Sequence, residues 1–129
     1  MLSFFRGKKE GNRMKVKRGD ILYVDLGAKY RGSVQGGTRP VVVISNNRAN
    51  KYSTVITVVP LSSHISKKRN LPTHVFVSAY RCSGLSMHSL ALCEQVMSVD
   101  KLQVIDYIGR MDAGTLEQVT RAVQIQIDA

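Results

Sequence analysis

The sequence predicts a mainly β domain with a C-terminal helix, in which the strands form a small, strongly curved antiparallel sheet or half-open barrel. Three observations support this fold class. The chain contains short runs rich in β-branched residues, polar turns separate these runs, and only the last segment has helical periodicity. A chain of 129 residues is long enough to form one domain around one core without help from a metal or a disulfide.

The strands are predicted in sequence from residue 20. Residues 20–26 mix β-branched and aromatic residues, and the uninterrupted apolar run at 40–45 is typical of a strand covered on both faces. In the next strand, residues 54–62, Pro60 lacks an N–H group and indicates an edge or a bulge near the strand's end. Further strands are predicted at 73–78, 89–99 and 105–111, with a brief helical turn at 100–104.

Two polar signals indicate where other elements begin and end. Asn46, Asn47 and Asn50 indicate a turn after the second strand. Near the C-terminus, Thr115 and Gln118 have the spacing of a capping box, which predicts a helix that begins there. The apolar stripe expected to pack on the sheet consists of Leu116, Val119, Val123 and Ile127.

The chain is strongly basic, with 19 Lys and Arg against 9 Asp and Glu and a net charge of +10. Such an excess favours a polyanionic partner, with nucleic acid first and an acidic protein or solubility alone as alternatives. Part of the charge lies in residues 6–18, which hold seven basic residues and one acid. Residues 1–13 are predicted to be a disordered N-terminal extension, and residues 14–129 to form the domain.

The cysteines and histidines do not form a recognisable metal site. Cys82 and Cys93 are not arranged as CxxC, which favours reduced thiols in a cytoplasmic protein over a disulfide. The spacings of His64, His74 and His88 match no zinc motif, so no metal or cofactor is expected. No run of residues has the length and apolar character of a signal peptide core or a membrane span.

The most informative stretch joins a glycine-rich loop to the second strand. Gly32, Gly36 and Gly37 can bring backbone N–H groups close to a phosphate, although a flexible surface loop has the same composition. Arg39, fixed next to Pro40, either presents its five donors to a phosphate or pairs with a carboxylate at the rim.

Polar residues near the ends of two later strands are further candidates. Ser62 and Ser63 are either hydroxyl donors at a strand end or ordinary loop serines. Glu94 and Gln95 either border a groove or are simply solvated.

Five blocks of the sequence together resemble the MazF/PemK toxin family, the messenger RNA endonucleases of bacterial toxin–antitoxin pairs. They are VKRGDILYVDL, GSVQGGTRPVVVISN, NKYSTVITVVPLS, LPTHV and CEQVMSVDK, and their order agrees with the family from about Met14 to the C-terminus. The resemblance implies an SH3-like, CcdB-like small barrel, a homodimer, and metal-independent, sequence-specific cleavage of single-stranded messenger RNA by the substrate's own 2'-hydroxyl. It also implies a cognate antitoxin whose disordered acidic tail occupies the RNA groove.

The resemblance also assigns roles to individual residues. The family's catalytic arginine corresponds to Arg39, and its catalytic threonine corresponds to Ser62, which keeps the hydroxyl and loses the methyl group. Val34 stands where the family often has a glutamate. His64 is a candidate proton acceptor, because strand alternation would return it to the face of Ser62. The expected RNA-binding residues are Ser33, Gln35, Gly36, Gly37, Ser63, Lys67, Lys68 and Gln95.

Two other functions are compatible with the same fold. A CcdB-like inhibitor of DNA gyrase would bind a protein and would not need Arg39 or Ser62. A non-catalytic RNA-binding module would use the basic surface and leave RNA intact.

Overall fold

The fold is a curved seven-stranded antiparallel sheet with a helix at the C-terminus, and a separate two-stranded antiparallel sheet precedes it. The computed structural model describes residues 9–10, 13–28, 36–65 and 71–128. Among these residues, no helix has the length and apolar character needed to cross a bilayer. The strands are β1 (Lys9–Glu10), β2 (Arg13–Met14), β3 (Asp20–Asp25), β4 (Thr38–Val43), β5 (Val55–Ser62), β6 (His74–Val77), β7 (Ser89–Leu92), β8 (Met97–Asp100) and β9 (Val104–Arg110). The helices are α1 (Asn47–Tyr52) and α2 (Ala113–Ile127), with 3-10 turns at Cys93–Gln95 and Lys101–Gln103.

Strands β3 to β9 form one seven-stranded sheet in the order β6-β7-β5-β4-β3-β9, with β8 also paired to β5. All of these pairs are antiparallel. Ser83, in the loop after β6, forms an isolated bridge with Arg110 of β9. Because β6 and β9 are the two ends of the strand order, this bridge shows that the sheet curls back toward itself. The predicted mainly β fold with a C-terminal helix is confirmed.

The central strands are covered on both faces, as the apolar run at 40–45 predicts. Val42 belongs to a core cluster that also contains residues of α2, such as Val119. Its neighbours Val41 and Val43 belong to a second cluster with Leu22 of β3. Since successive strand residues point to opposite faces, the two clusters lie on the two sides of the same sheet.

The strand predicted at 89–99 is two strands, β7 and β8, separated by the 3-10 turn Cys93–Gln95. Strand β5 pairs with β8 through Val55–Val58 and with β7 through Leu61 and Ser62. Pro60 therefore lies opposite the interruption, where its missing N–H group costs the ladder nothing. The edge suggested by Pro60 was wrong, because β5 is a central strand of the sheet.

Helix α2 begins before the predicted capping box. Asp112 is its N-cap, and its carboxylate accepts a hydrogen bond from the backbone N–H of Thr115 at 3.1 Å. The interpretation of Thr115 as the N-cap was wrong, because an aspartate three residues earlier provides a side-chain acceptor for the first turn. The predicted apolar stripe is buried at Val119 and Val123. Ile127 lies one turn beyond Val123, the last buried residue of the helix, and is 71% exposed.

The asparagines after β4 begin helix α1 and do not form a simple turn. The side-chain carbonyl of Asn46 accepts from the N–H of Ala49 at 2.8 Å, which is an N-cap. Asn50 is fully buried, and its side-chain amide donates to the carbonyl of Ser45 at 2.8 Å. The predicted turn was therefore wrong: the asparagines cap and anchor a short helix.

Candidate functional site

Arg39 is the second residue of β4 and lies opposite Val24 of β3. Its side chain is half-buried, and Nε donates to the carbonyl oxygen of Gly36 at 3.1 Å. Within the part of the chain that the structure describes, no carboxylate forms an ion pair with Arg39. The hydrogen bond fixes the plane of the guanidinium through Nε, and the terminal Nη1 and Nη2 groups are the fork that suits a phosphate.

The end of the glycine loop is tied to the end of β3. The N–H of Gly37 donates to the carbonyl of Gly27 at 2.5 Å, and the N–H of Leu26 donates to the carbonyl of Gly37 at 2.9 Å. Gly37 has a φ of +71°, and a Cβ built there would meet nothing within 4 Å. Glycine is therefore required by the backbone conformation alone. This short ladder holds the carbonyl of Gly36 beside Arg39.

Ser62 is the last residue of β5 and is 1% exposed. Its Oγ accepts a hydrogen bond from the backbone N–H of His64 at 3.2 Å. A hydroxyl oxygen that accepts this bond keeps its own O–H as a donor. The buried hydroxyl is thus anchored to the chain and can still donate.

Arg39 and Ser62 lie on the same face of two adjacent central strands, β4 and β5. The ladder between β4 and β5 pairs Val43 with Val58 and ends with Val41 opposite Pro60. Arg39 and Ser62 each lie two residues beyond that last pair, so pleat alternation puts both on the face of Val41. Beyond that last pair, Arg39 lies opposite Val24 of β3, and Ser62 lies opposite Leu90 of β7.

The other predicted site residues are divided between the described and undescribed parts of the chain. Ser63 is exposed directly after β5, and Gln95 is half-buried at the end of the 3-10 turn. Ser33, Gln35, Lys67 and Lys68 lie outside the described residues. His64 is exposed and follows the end of β5, so the strand alternation that suggested it as a proton acceptor does not reach it.

Sequence reasoning missed a polar cluster beside Gln95. His74 Nε2 lies 2.8 Å from Glu94 Oε2, and the hydroxyl of Thr73 donates to Glu94 Oε1 at 3.2 Å. The His74 side chain is only 2% exposed, whereas Glu94 is 28% exposed. The backbone N–H of Cys93 also donates to the carbonyl of Thr73 at 3.0 Å. These contacts fix the 3-10 turn that carries Gln95.

Neither cysteine is suited to act as a nucleophile. Both are buried free thiols, as the sequence predicts. Burial, and to a lesser extent the negative charge of Glu94, raise the pKa of Cys93 to about 12, while burial is the main cause of the raised pKa of Cys82. Among the described residues, no three His, Cys, Asp or Glu side chains form a group that could hold a metal ion.

Comparison with known proteins identifies the family. Residues 17–127 match the family model of the PemK-like, MazF-like toxin of type II toxin–antitoxin systems. The chain is also 40% identical over 114 residues to Endoribonuclease EndoA of Bacillus subtilis (strain 168), a match that covers 88% of this chain and 96% of that protein. This chain therefore belongs to the PemK-like, MazF-like toxin family.

Solved structures show the same fold at lower sequence identity. MazF from Deinococcus radiodurans is similar with a TM-score of 0.73 at 18% identity, over 88% of this chain and 97% of that one. An endoribonuclease in complex with its cognate antitoxin from Mycobacterial species is similar with a TM-score of 0.64 at 20% identity, over 87% and 92% of the two chains. These similarities confirm the MazF-type fold.

Proposed function

We propose that this chain is an endoribonuclease toxin that cleaves single-stranded messenger RNA at specific sequences, with Arg39 and Ser62 as its catalytic residues. Membership of the PemK-like, MazF-like toxin family and the 40% identity to Endoribonuclease EndoA support the activity. The observation that carries the assignment is the placement of a fixed guanidinium and an anchored hydroxyl on one face of two adjacent strands.

In the proposed reaction, the 2'-oxygen of the RNA attacks the neighbouring phosphorus and loses its proton. The bond from phosphorus to the 5'-oxygen breaks, and the leaving oxygen takes up a proton. The products are a 2',3'-cyclic phosphate and a free 5'-hydroxyl. Negative charge accumulates on the non-bridging oxygens of the phosphorane, so a preorganised cation at that position lowers the barrier.

Arg39 supplies that cation. A guanidinium stays protonated in proteins, so Arg39 acts as a fixed charge and hydrogen-bond donor and not as a base. The bond from Nε to the Gly36 carbonyl orients the guanidinium before substrate arrives. Two parallel donors can then follow the phosphate oxygens as their charge increases.

Ser62 is proposed to donate its O–H to a non-bridging phosphate oxygen. Because its Oγ accepts from the N–H of His64, the hydroxyl is held at one position at the end of β5. Serine has freer χ1 rotation than the threonine of related toxins, and this hydrogen bond provides a restraint in place of the missing methyl group. The bond therefore compensates for the substitution.

RNA is proposed to lie across the face that carries Arg39 and Ser62. Single-stranded RNA suits such a groove because unstacked bases expose edges that side chains can contact. The chain's net charge of +10 supports phosphate binding. The proposed contacts are Ser33, Gln35, Gly36, Gly37, Ser63, Lys67, Lys68 and Gln95.

A homodimer neutralised by a cognate antitoxin is the proposed assembly. The family is that of the toxins of type II toxin–antitoxin systems, and one similar solved structure is described as an endoribonuclease with its cognate antitoxin. An acidic disordered segment would compete with RNA for the same positive surface.

The test is to incubate the purified chain with a long single-stranded RNA in excess chelator and to map both ends of every cut. We expect cuts at a short recurring sequence, each leaving a 2',3'-cyclic phosphate, because the attacking group belongs to the RNA. Loss of cutting that zinc or magnesium restores would contradict the mechanism. Binding without cutting would identify an RNA-binding module, and inhibition of DNA gyrase without RNA cleavage would identify the CcdB-like alternative.

A further inference from the structure

Three aromatic side chains form an exposed group next to the candidate site. The His88 ring lies 5.3 Å from the Phe76 ring and 5.1 Å from the Tyr80 ring, measured between centroids. We call these three residues the aromatic cluster. Tyr80 and His88 also line an open surface pocket with Ser63, the residue that follows Ser62. The aromatic cluster is therefore continuous with the catalytic end of β5.

The aromatic cluster faces solvent and is not part of the core. Phe76 alternates with the buried Val75 and Val77 along β6, so its ring points away from the core. The Tyr80 side chain is 91% exposed, and Phe76 is 43% exposed. Tyr80 thus contributes little buried area to the folded state, and its position beside the half-buried His88 is a property of the surface.

Backbone hydrogen bonds hold the aromatic cluster in place. The N–H of Ala79 donates to His88 Nδ1 at 3.0 Å, which orients the imidazole and leaves Nε2 as the protonated ring nitrogen. Tyr80 lies in a turn in which its own N–H donates to Ser78 Oγ at 3.2 Å, and the N–H of Arg81 donates to the carbonyl of Ser78 at 3.1 Å. The rings are therefore presented on a fixed backbone.

We propose that the aromatic cluster stacks a base of a nucleotide next to the scissile phosphate. This inference rests on the proposed function and extends it by assigning a base-binding site. The Tyr80 and His88 rings are nearly perpendicular, at 79°, so they do not stack on each other, and the 91% exposed Tyr80 keeps ring surface on which a base can stack. Stacking accepts any base, because every base has a π-face.

Two observations favour RNA over a protein as the occupant. The pocket extends to Ser63 and so to the end of the strand that carries the catalytic hydroxyl. The residue beside Tyr80 is the exposed Arg81, in a chain whose net charge is +10. A positive groove with exposed rings is the common design of surfaces that bind single strands.

The test uses a short single-stranded RNA that spans a mapped cut site and carries 2'-fluorine in place of every 2'-hydroxyl, so that it cannot be cut. Affinity is measured for wild type, Tyr80→Ala and Tyr80→Phe, and for Tyr52→Ala as the matched control. Tyr52 is an exposed tyrosine on α1, which precedes β5 and so lies by the end of that strand away from Ser62. We expect Tyr80→Ala to bind about 10-fold more weakly, with Tyr80→Phe and Tyr52→Ala close to wild type.

A second set of RNAs replaces one base at a time by an abasic nucleotide. For wild type, an abasic nucleotide at one position next to the cut should lower the RNA affinity about 10-fold. Tyr80→Ala should bind that abasic RNA as tightly as it binds the intact RNA. Urea unfolding is the folding control, since removal of a 91% exposed ring should leave stability near that of wild type.

The outcomes separate this inference from the proposed function. Cutting by wild type together with unchanged RNA affinity of Tyr80→Ala would overturn the stacking site and leave the nuclease standing. If wild type cut no RNA, the same affinities would be measured with a 2'-fluoro single strand of arbitrary sequence, and a binding defect in Tyr80→Ala would then support the stacking site while the nuclease proposal failed. If Tyr80→Ala weakened binding of an acidic protein partner but not of RNA, the aromatic cluster would be a protein-binding surface and the inference would be wrong.

Discussion

At the scale of single residues, two glycines lie where the two ends of the sheet approach each other closely. A Cβ built at Gly109 would lie 1.7 Å from the carbonyl oxygen of Ser83, and one built at Gly84 would lie 1.9 Å from that of Ile108. Ser83 and Arg110 exchange backbone hydrogen bonds at this point, at 3.1 and 3.2 Å. Glycine at these positions therefore permits the curl that completes the barrel-like sheet.

Gly109→Ala should destabilise the protein by about 3 kcal/mol or more, because the added methyl group overlaps a backbone atom that cannot move away cheaply. The measurement is the free energy of unfolding in urea. Gly114→Ala is the matched control, since its Cβ would lie 3.6 Å from the nearest atom, Asp112 Oδ2, in the first turn of α2. That change should be neutral or stabilise by up to about 1 kcal/mol. Equal effects of the two substitutions would contradict the assigned close approach.

Individual site residues differ in how far the sequence can reveal them. Arg39 and Ser62 are predictable as candidates, because Arg39 stands at the start of an apolar run within a family motif and Ser62 stands at the end of the next such run, at the position of the family's threonine. The contact between His74 and Glu94 is not, because the two residues are twenty positions apart and meet only through the register that sets His74 opposite Leu92. The contacts of the aromatic cluster depend on the same pairing of β6 with β7.

At the scale of elements, the N-cap carboxylate of α2 makes the stability of the fold depend on pH. Burial acts to raise the pKa of Asp112, but the hydrogen bonds from Thr115 outweigh it, and the pKa lies below its ordinary value of 3.8. A carboxyl group with a lowered pKa in the folded state stabilises the fold above its unfolded pKa. That stabilisation is lost as the pH falls below about 3.8.

Asp112→Ala should cost about 1 kcal/mol of unfolding free energy at neutral pH, because the N–H of Thr115 loses its cap acceptor. Asp112→Asn keeps a side-chain acceptor and should therefore lose less unfolding free energy than Asp112→Ala. The advantage of wild type over Asp112→Asn should shrink as the pH is lowered from 5 to 3, as measured by urea unfolding across that range. A difference that did not vary with pH would show that the ionised carboxylate is not the stabilising species.

Strands and helices were predicted well where the apolar periodicity was strong, and poorly where strand pairing determines their bounds. Strands β3, β4 and β5 lie within about two residues of their predicted bounds. The separation of β7 from β8 has no signal in the apolar run at 89–99, since it depends on how that run pairs with β5. Helix α1 was missed because asparagines favour both turns and N-caps.

At the scale of the whole molecule, basic charge outside the site should govern non-specific binding. Residues 6–18 hold seven basic residues and one acid, and four of the seven basic residues lie within residues 1–13. Deletion of residues 1–13 should leave the cut sequences unchanged and reduce the steepness with which RNA affinity falls as salt is added, because fewer counterions are released. Cut-end mapping and affinity measured over a series of salt concentrations check this. A change in the cut sequences would place the deleted segment in the RNA groove.

The most direct test of the proposed catalytic site compares the single-turnover cleavage rates of Arg39→Lys, Arg39→Ala and Ser62→Ala at saturating RNA. If Arg39 acts through its fork, lysine keeps the charge but should still lose most of the activity. Ser62→Ala should lose about 10²- to 10³-fold, and Arg39→Ala at least as much, while RNA affinity changes far less. Arg121→Lys is the matched control, because Arg121 lies on the exposed face of α2 and pairs with Glu117. Cleavage by Arg39→Lys at the rate of wild type, or by Arg39→Ala and Ser62→Ala at the rate of Arg121→Lys, would contradict the assignment.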